Sequence, residues 1–406
     1  MTKAIKQLLI SQAVSNLADV FLRVVVIANV FTITKSVIAT SMVPILIGLS
    51  SFIASFLVPL VTKKMLLNRV LSYTQLCKTI SLGLLLGLMC YSEVIDISIL
   101  YFFVVTISIL DGFEAPVAFA IVPIYATDLG KTNAALSMSG EGVELVGWGL
   151  GGLLYATLGL IMSTVIILFL YVISTILFLM LPAVKTKVIE SETNIETLTR
   201  GWRLIIVEPK LRFFVQANLL EILANTIWVS SVILVFVNEY LHKDESYWGY
   251  ANTTYSIGIL LSAIIVFRLS DKILQYKWQS IFFSLMFMAI VTVLIIEFKN
   301  AWAFLIFSLI MGVLSQLKEI AERVFLQEIV DEADLVNVFS VFEVISTLAF
   351  SSFVFVMSSI TDVFGVIFSF WIVVICLLLA CLLVFKKESK SSDISCMHFS
   401  TVHIIT

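Results

Sequence analysis

Between residues 8 and 385 the chain is a succession of apolar segments, each about as long as a bilayer is thick, set apart by short polar turns. A helix needs ~20 mostly apolar residues to cross the hydrocarbon core. The pattern predicts twelve such helices, at 8–33, 37–61, 70–92, 97–126, 136–159, 161–183, 211–240, 248–268, 278–297, 301–328, 336–359 and 363–385. The residue content agrees, with 60% hydrophobic and 13% charged residues, where soluble domains are about a quarter charged. A polytopic all-α membrane protein is the class that fits. The first apolar segment lacks a small-residue cleavage site and runs on for a full span, so no cleavable signal is expected.

The loops predict an orientation. Of the 25 Lys and Arg residues, Lys35, Lys243 and Lys299 fall in loops on one side, and Arg23, Lys78, Lys318 and Arg323 fall inside spans. The other eighteen lie on the side of the N-terminus. Basic residues stay cytoplasmic, so both termini and the central polar segment are expected there, in the cell membrane. That segment, from about Lys185 to Pro209, contains Leu198, Trp202, Ile205 and Ile206 at helical spacing. It reads as a partly amphipathic helix, with its first half equally readable as a solvated linker. The expected division is a six-helix bundle over 1–183, a linker over 184–210, a second bundle over 211–387 and a tail over 388–406.

A shift of about 200 residues superposes the two halves. Spans four and ten are long and charged, and each precedes a turn and a helix with an embedded acid, Glu144 or Glu343. Repeats of this kind mark secondary transporters. No phosphate-binding GxxxxGK[ST] loop, Ser–His–Asp set or metal-ligand spacing is present, so neither an ATP-driven pump nor an enzyme is expected. The five cysteines form no CxxC pair, and His242, His398 and His403 fall in a loop and the tail. No metal or other cofactor is expected.

The fifth segment carries GEGVELVGWGLGG from Gly140 to Gly152. At ~100° per residue, Gly140, Glu144, Gly147 and Gly151 share a face. The Gly147/Gly151 spacing, with Gly152 beside it, lets a second helix backbone approach closely in lipid. Charge is costly inside a span, ~2.5–3.5 kcal/mol at the centre on insertion scales, so such residues face protein and find partners. Span one carries Gln12, Asn16, Asp19 and Arg23 on one face, with Asp19 and Arg23 placed to pair at i,i+4. Span four carries Asp111 and Glu114, two close carboxyls with no basic residue within a turn. Such a pair holds protons or is satisfied from another helix, and a site for a cationic ligand is a third reading. Span seven carries Asn218, Glu221, Asn225 and Trp228 at helical spacing, a stripe suited to an amphipathic or cationic ligand or to helix–helix hydrogen bonds. Span ten carries Lys318, Glu319, Glu322 and Arg323, readable as two i,i+4 pairs and so as a structural or gating network. Glu141 and Glu144 are placed to pair with Lys78 or Arg23. Asp331, Glu332 and Asp334 are placed to meet the basic 63–69 loop, or are simply solvated.

Three stretches carry a family likeness. They are SQAVSNLADVFLRVVVIANVFTITKS at 11–36, TRGWRLIIVEPKLRFFV at 199–215, and the run from Gly312 through LQEIVDEADLVNVFSVF to Phe342. Together the sequence resembles the major facilitator superfamily, and is most similar to its drug-efflux members of the macrolide-efflux type. Two departures stand out. The loop between spans two and three reads VPLVTKKMLLNRV, without the Gly and Asp of the family pattern, and Trp148 stands where the span-five antiporter motif has proline.

The resemblance implies two pseudo-symmetric six-helix bundles, with spans one, four, seven and ten lining a central cavity. It implies proton-coupled efflux of a small amphipathic compound by alternating access. Proton coupling falls to Asp111, Glu114, Asp19 and Glu144. Substrate contact falls to Asn16, Arg23, Asn218, Glu221, Asn225 and Trp228, and gating to Glu141, Lys318, Glu319, Glu322 and Arg323. The expected partners are a small molecule, protons and the lipid bilayer, with no nucleic acid and a monomeric state. Uptake of a metabolite, or a non-transporting receptor or immunity role on the same fold, are the alternatives.

Overall fold

The computed structural model describes residues 1–91, 96–184, 193–228, 230–244 and 246–400. The start of the expected linker, with Lys185 and Lys187, lies outside the described residues, as do His403 and the side chains of Lys386, Lys387, Lys390, Cys396 and His398. Among the described residues the chain is helical and carries no strand. Among the described residues, nine helices are long and apolar enough to cross a membrane, or ten if the bent pair Pro209–Trp228 and Val232–Tyr240 counts as one span. The chain is a multi-pass membrane protein.

Helix boundaries follow local chemistry. Helix α1 (Lys3–Thr34) starts where the Thr2 hydroxyl accepts from the Ile5 N–H, and stops at Lys35 in a left-handed conformation. Helix α2 (Val37–Thr62) is capped by Ser36. Helix α3 (Leu67–Tyr91) follows. Asp96 then caps α4 (Ile97–Asp111), which gives way to α5 (Glu114–Tyr125). Asp128 caps α6 (Leu129–Leu179), whose path breaks at Gly159, where φ is 69°. That positive φ is cheap for glycine alone, and it falls where the sequence predicts the boundary between spans five and six. Such side-chain caps satisfy backbone donors that a helix start leaves open.

Helix α7 (Asn194–Val207) opens with a reciprocal cap: Thr193 N–H donates to Glu196 Oε2 at 2.6 Å and Glu196 N–H donates to Thr193 Oγ1 at 3.3 Å. The same hydrogen bond holds the exposed Glu196 carboxyl below its usual range. There follow α8 (Pro209–Asn225), a 3₁₀ turn at Thr226–Trp228, α9 (Ser230–Val235) and a π turn at Phe236–Tyr240. The remaining helices are α10 (Ser246–Gln275), α11 (Lys277–Glu297), α12 (Ala301–Ile329), α13 (Leu335–Phe364) and α14 (Val366–Ser400).

The helices form two compact units, one of Met1–Leu204 with Gln327–Thr347, the other of Ile205–Leu326 with the chain from Leu348 onward. In the first unit α1 runs along α6 over its most extensive interface. Gly147 and Gly151 make this possible. A Cβ on Gly147 would stand 2.5 Å from Val20 Cγ1, and one on Gly151 would stand 3.1 Å from Val24 Cβ. Gly152 has nothing within 4 Å of its missing Cβ, so it takes no part in the close packing. The core of this unit includes Phe21, Val25, Leu82, Leu100, Phe103 and Tyr171. The end of α12 and the start of α13 join it through Asn133 Nδ2 donating to Gln327 Oε1 at 2.7 Å, and through Phe119 stacked on Phe339 at 3.9 Å.

The second unit centres on Phe236, Phe304 and Phe370. Helix α12 meets α10 through glycines, since a Cβ on Gly258 would stand 3.1 Å from Gly312 Cα. Large apolar side chains such as Phe102, Phe169, Ile306 and Leu382 point outward in both units, each more than 60% exposed, as lipid-facing surfaces require.

Candidate functional site: two buried lysines held by carboxylates

Lys78 lies mid-way along α3, only 1% exposed. Its ammonium has three donors, and each has an acceptor: Asp111 Oδ1 at 2.6 Å, Asp19 Oδ2 at 2.7 Å and Ser15 Oγ at 3.5 Å. The Tyr171 hydroxyl donates to the other Asp19 oxygen, and the ammonium sits 5.2 Å from the Tyr171 ring centroid. Ser15 in turn donates to Gln75 Oε1 at 2.9 Å. Spans one, three and four and the second arm of α6 thus meet at one charge. A buried ammonium is tolerated only with such partners.

Glu114 adds a further carboxyl. It is the first residue of α5, where the helix dipole favours a negative group. It is buried, and its Oε1 has no partner. The helix tightens between Asp111 and Glu114, where Gly112 and Phe113 keep right-handed helical dihedrals and the span runs on from Ile97 to Tyr125. A Cβ on Gly112 would stand 2.6 Å from Ala54 Cβ and 2.9 Å from Ser51 Cα, so glycine lets α2 press against this point. The two acids share the span but not a partner. Asp111 turns to Lys78, while Glu114 stays buried with an open oxygen.

Asp19 and Asp111 also border a small cavity of about 30 Å³ in the first unit. Its polar lining is Asp19, Arg23, Ser108 and Asp111, and its walls are Leu22, Val26, Val43, Ile47, Val104 and Ile107. The Asp111 side chain is 36% exposed, against 11% for Asp19. In this conformation the cavity has room for about a water molecule, with carboxylates at one end of an apolar wall.

The expected Asp19–Arg23 pair does not form. Asp19 points inward to Lys78, which has greater need of a counter-charge. Arg23, longer and partly exposed, reaches Glu144 at 3.7 Å, and the Trp148 indole donates to the same Glu144 carboxylate at 2.8 Å. Glu141 is partly exposed on α6. The turn before α13 departs too: Asp334 is held by Arg200 of α7, with Nε to Oδ1 at 2.5 Å and Nη2 to Oδ2 at 3.2 Å, in place of the 63–69 loop. A glycine permits this docking, as Gly201 lies against the Asn337 carbonyl with no room for a Cβ.

The second unit has its own buried lysine. Lys318 of α12 bonds Glu221 of α8 and Glu322 of its own helix, the latter at 3.0 Å. The three side chains are 6%, 4% and 11% exposed, and Glu221 Oε1 has no partner. Glu221 is thus a buried ion-pair partner of Lys318. Arg323 and Glu319 form the other i,i+4 pair, at 2.8 Å and more than 40% exposed. The span-seven stripe does not persist as one face. Helix α8 ends at Asn225, and Trp228 sits on the 3₁₀ turn with its ring 5.6 Å from Tyr255 and 6.4 Å from Phe304. Asn16, Asn218 and Asn225 are partly exposed on α1 and α8.

Lys78, Tyr171, Ser15 and Gln75 are not among the expected site residues. One sequence signal pointed to the first of these: Lys78 is the sole charge in an otherwise uncharged stretch of span three, and such a charge needs a partner.

Comparison with known proteins supports a transporter class. The Major Facilitator Superfamily profile matches residues 217–395. The chain is 28% identical over 372 residues to the uncharacterized MFS-type transporter YfmI of Bacillus subtilis, covering 90% of this chain and 92% of that one. It is 26% identical over 340 residues to a second MFS-type transporter of that organism, YjbB, covering 83% of each. Among solved structures, a bacterial homologue of the iron transporter ferroportin superposes with a TM-score of 0.75 at 14% identity, over 95% of this chain and all of that one. The Escherichia coli fucose:proton symporter FucP superposes at 0.70 and 12% identity, over 94% and 97%. The fold is the major facilitator fold. These likenesses are to transporters, and the solved structures show the fold.

Proposed function

We propose that the chain is a proton-coupled secondary transporter of the major facilitator superfamily that exports a small amphipathic, cationic compound by alternating access. The observation that carries this reading is the Lys78 cluster. It places one buried ammonium between two carboxylates, with a third, Glu114, buried beside it with an unpartnered oxygen, and it borders an apolar-walled cavity. A cation entering a wider form of that cavity competes with Lys78 for Asp111. Proton uptake at Glu114 changes the charge of the same network. Binding of the two ligands is thereby coupled through Lys78, which is what exchange across a membrane requires.

Twelve spans fit this reading if the bent pair Pro209–Trp228 and Val232–Tyr240 counts as one span, α6 as two about Gly159 and α10 as one. The two six-helix halves are then 1–183 and 211–387, joined by the 184–210 linker, and the protein acts as a monomer. The distribution of Lys and Arg supports cytoplasmic termini in the cell membrane. The direction of transport rests on the resemblance to drug-efflux members. Iron is named for the ferroportin homologue. Among the described residues of this chain no three His, Cys, Asp or Glu side chains come together as metal ligands, which favours an organic substrate.

Accumulation of a fluorescent cationic dye, measured in cells with and without the protein, tests the proposal. Lower accumulation that returns to the control level when a protonophore collapses the gradient supports it. Equal accumulation across a panel of cationic dyes counts against export.

A further inference from the structure

We infer that the Glu221–Glu322 carboxyl pair of the second unit is a proton-binding site of its own, holding one proton beside Lys318. Three observations carry it. The two carboxyls share a single ammonium, since Lys318 Nζ donates to Glu221 Oε2 and, at 3.0 Å, to Glu322 Oε2. Two carboxylates drawn to one cation raise each other's proton affinity. All three side chains are at least 89% buried, and with both acids ionised the group would carry a net negative charge with no counter-ion. Glu221 Oε1 is also a buried acceptor without a partner, and an O–H formed there or on Glu322 removes the uncompensated charge.

Among the described residues, Lys318 is the cation that pairs with Glu221 and Glu322. Helix α14, which packs along α8, has no charged side chain from Val366 to Phe385, only the thiols of Cys376 and Cys381. On α12 itself, Glu319 and Arg323 neutralise one another on a more exposed face. On α8, Lys210 and Arg212 lie in the first turn, more than two turns from Glu221. The site is too closed for a larger cation, which leaves the proton as its ligand. In the reaction a water-borne proton forms one O–H bond on a carboxylate oxygen, and the reverse step returns it to water. Nothing is oxidised or reduced. In the transport cycle proposed above, this second site raises the number of protons that can move per turnover from one to two. That role rests on the coupling reading, whereas proton binding itself does not.

Infrared difference spectra of the full chain in lipid nanodiscs, with ¹³C-labelled glutamate and pH steps confined to the range above that in which exposed glutamates titrate, test the site. Glu114→Gln should retain a titrating glutamic-acid C=O band, and that band should vanish when either Glu221→Gln or Glu322→Gln is added. Either double variant suffices if the other fails to fold. Absence of a titrating band in Glu114→Gln, or its survival in the folded double variants, overturns the inference. Loss of gradient-driven dye movement is scored separately in Glu114→Gln. If the bands behave as expected while transport in Glu114→Gln is normal, the coupling assignment fails and the second site stands.

Discussion

The two lysine clusters solve the same electrostatic problem with different access to ligand. Lys78 draws its carboxylates from α1 and α4, and one of them, Asp111, is a third exposed on a cavity. Lys318 draws one from α8 and one from its own helix a turn away, and both are nine-tenths buried. The first cluster borders a cavity, whereas the second is closed to solvent. In the proposed function, substrate meets the first cluster and protons alone meet the second.

The largest expected effect separates the clusters by stability. Lys318→Met leaves two buried carboxyls with no ammonium, and should cost ~3–5 kcal/mol, the range for breaking a buried pair. Lys78→Met should cost less, about 2–3 kcal/mol, because Asp111 regains water. Thermal unfolding of the purified variants reads this, and equal losses would erase the distinction. Next, Gly147→Val forces a side chain into Val20, one residue from Asp19. It should cost ~1–3 kcal/mol by overpacking and disturb the first cluster alone, whereas Gly152→Ala should stay within about 0.5 kcal/mol.

A binding comparison is the third. Asp111→Asn should weaken binding of a cationic dye at least about tenfold, ~1.4 kcal/mol, while Glu322→Gln leaves it nearly unchanged. Fluorescence titration of both variants measures it, and a matching loss in Glu322→Gln would mean that the second cluster also sees substrate. The smallest effect is expected at Glu144→Gln. Its pair with Arg23 is 45% and 30% exposed, so the loss should lie within ~0–1 kcal/mol.

The spans were legible because lipid imposes one length and one composition on every crossing helix. Even the boundary at Gly159 could be read, as a glycine between two apolar runs. The Gly147/Gly151 ridge was legible for a similar reason: its spacing depends on one helix alone. The partners of the buried charges were not. The i,i+4 rule favoured Arg23 for Asp19, yet Lys78, 59 residues away, took it. Nothing local to α1 records that α3 brings a buried ammonium to its side. The rule held for Lys318–Glu322 and Glu319–Arg323, where both partners share a helix and no stronger claimant intervenes. The close approach of α2 at Gly112 was hidden too, because Ala54 and Ser51, which it meets, lie on another helix.

The central claim is that Glu114 carries a coupling proton beside the Lys78 cluster. Reconstituted protein in liposomes with an imposed pH gradient tests it most directly, by following a cationic dye in wild type and Glu114→Gln. The account predicts that Glu114→Gln loses gradient-driven dye movement while still exchanging dye across the membrane without a gradient. Full gradient-driven movement in Glu114→Gln would contradict it.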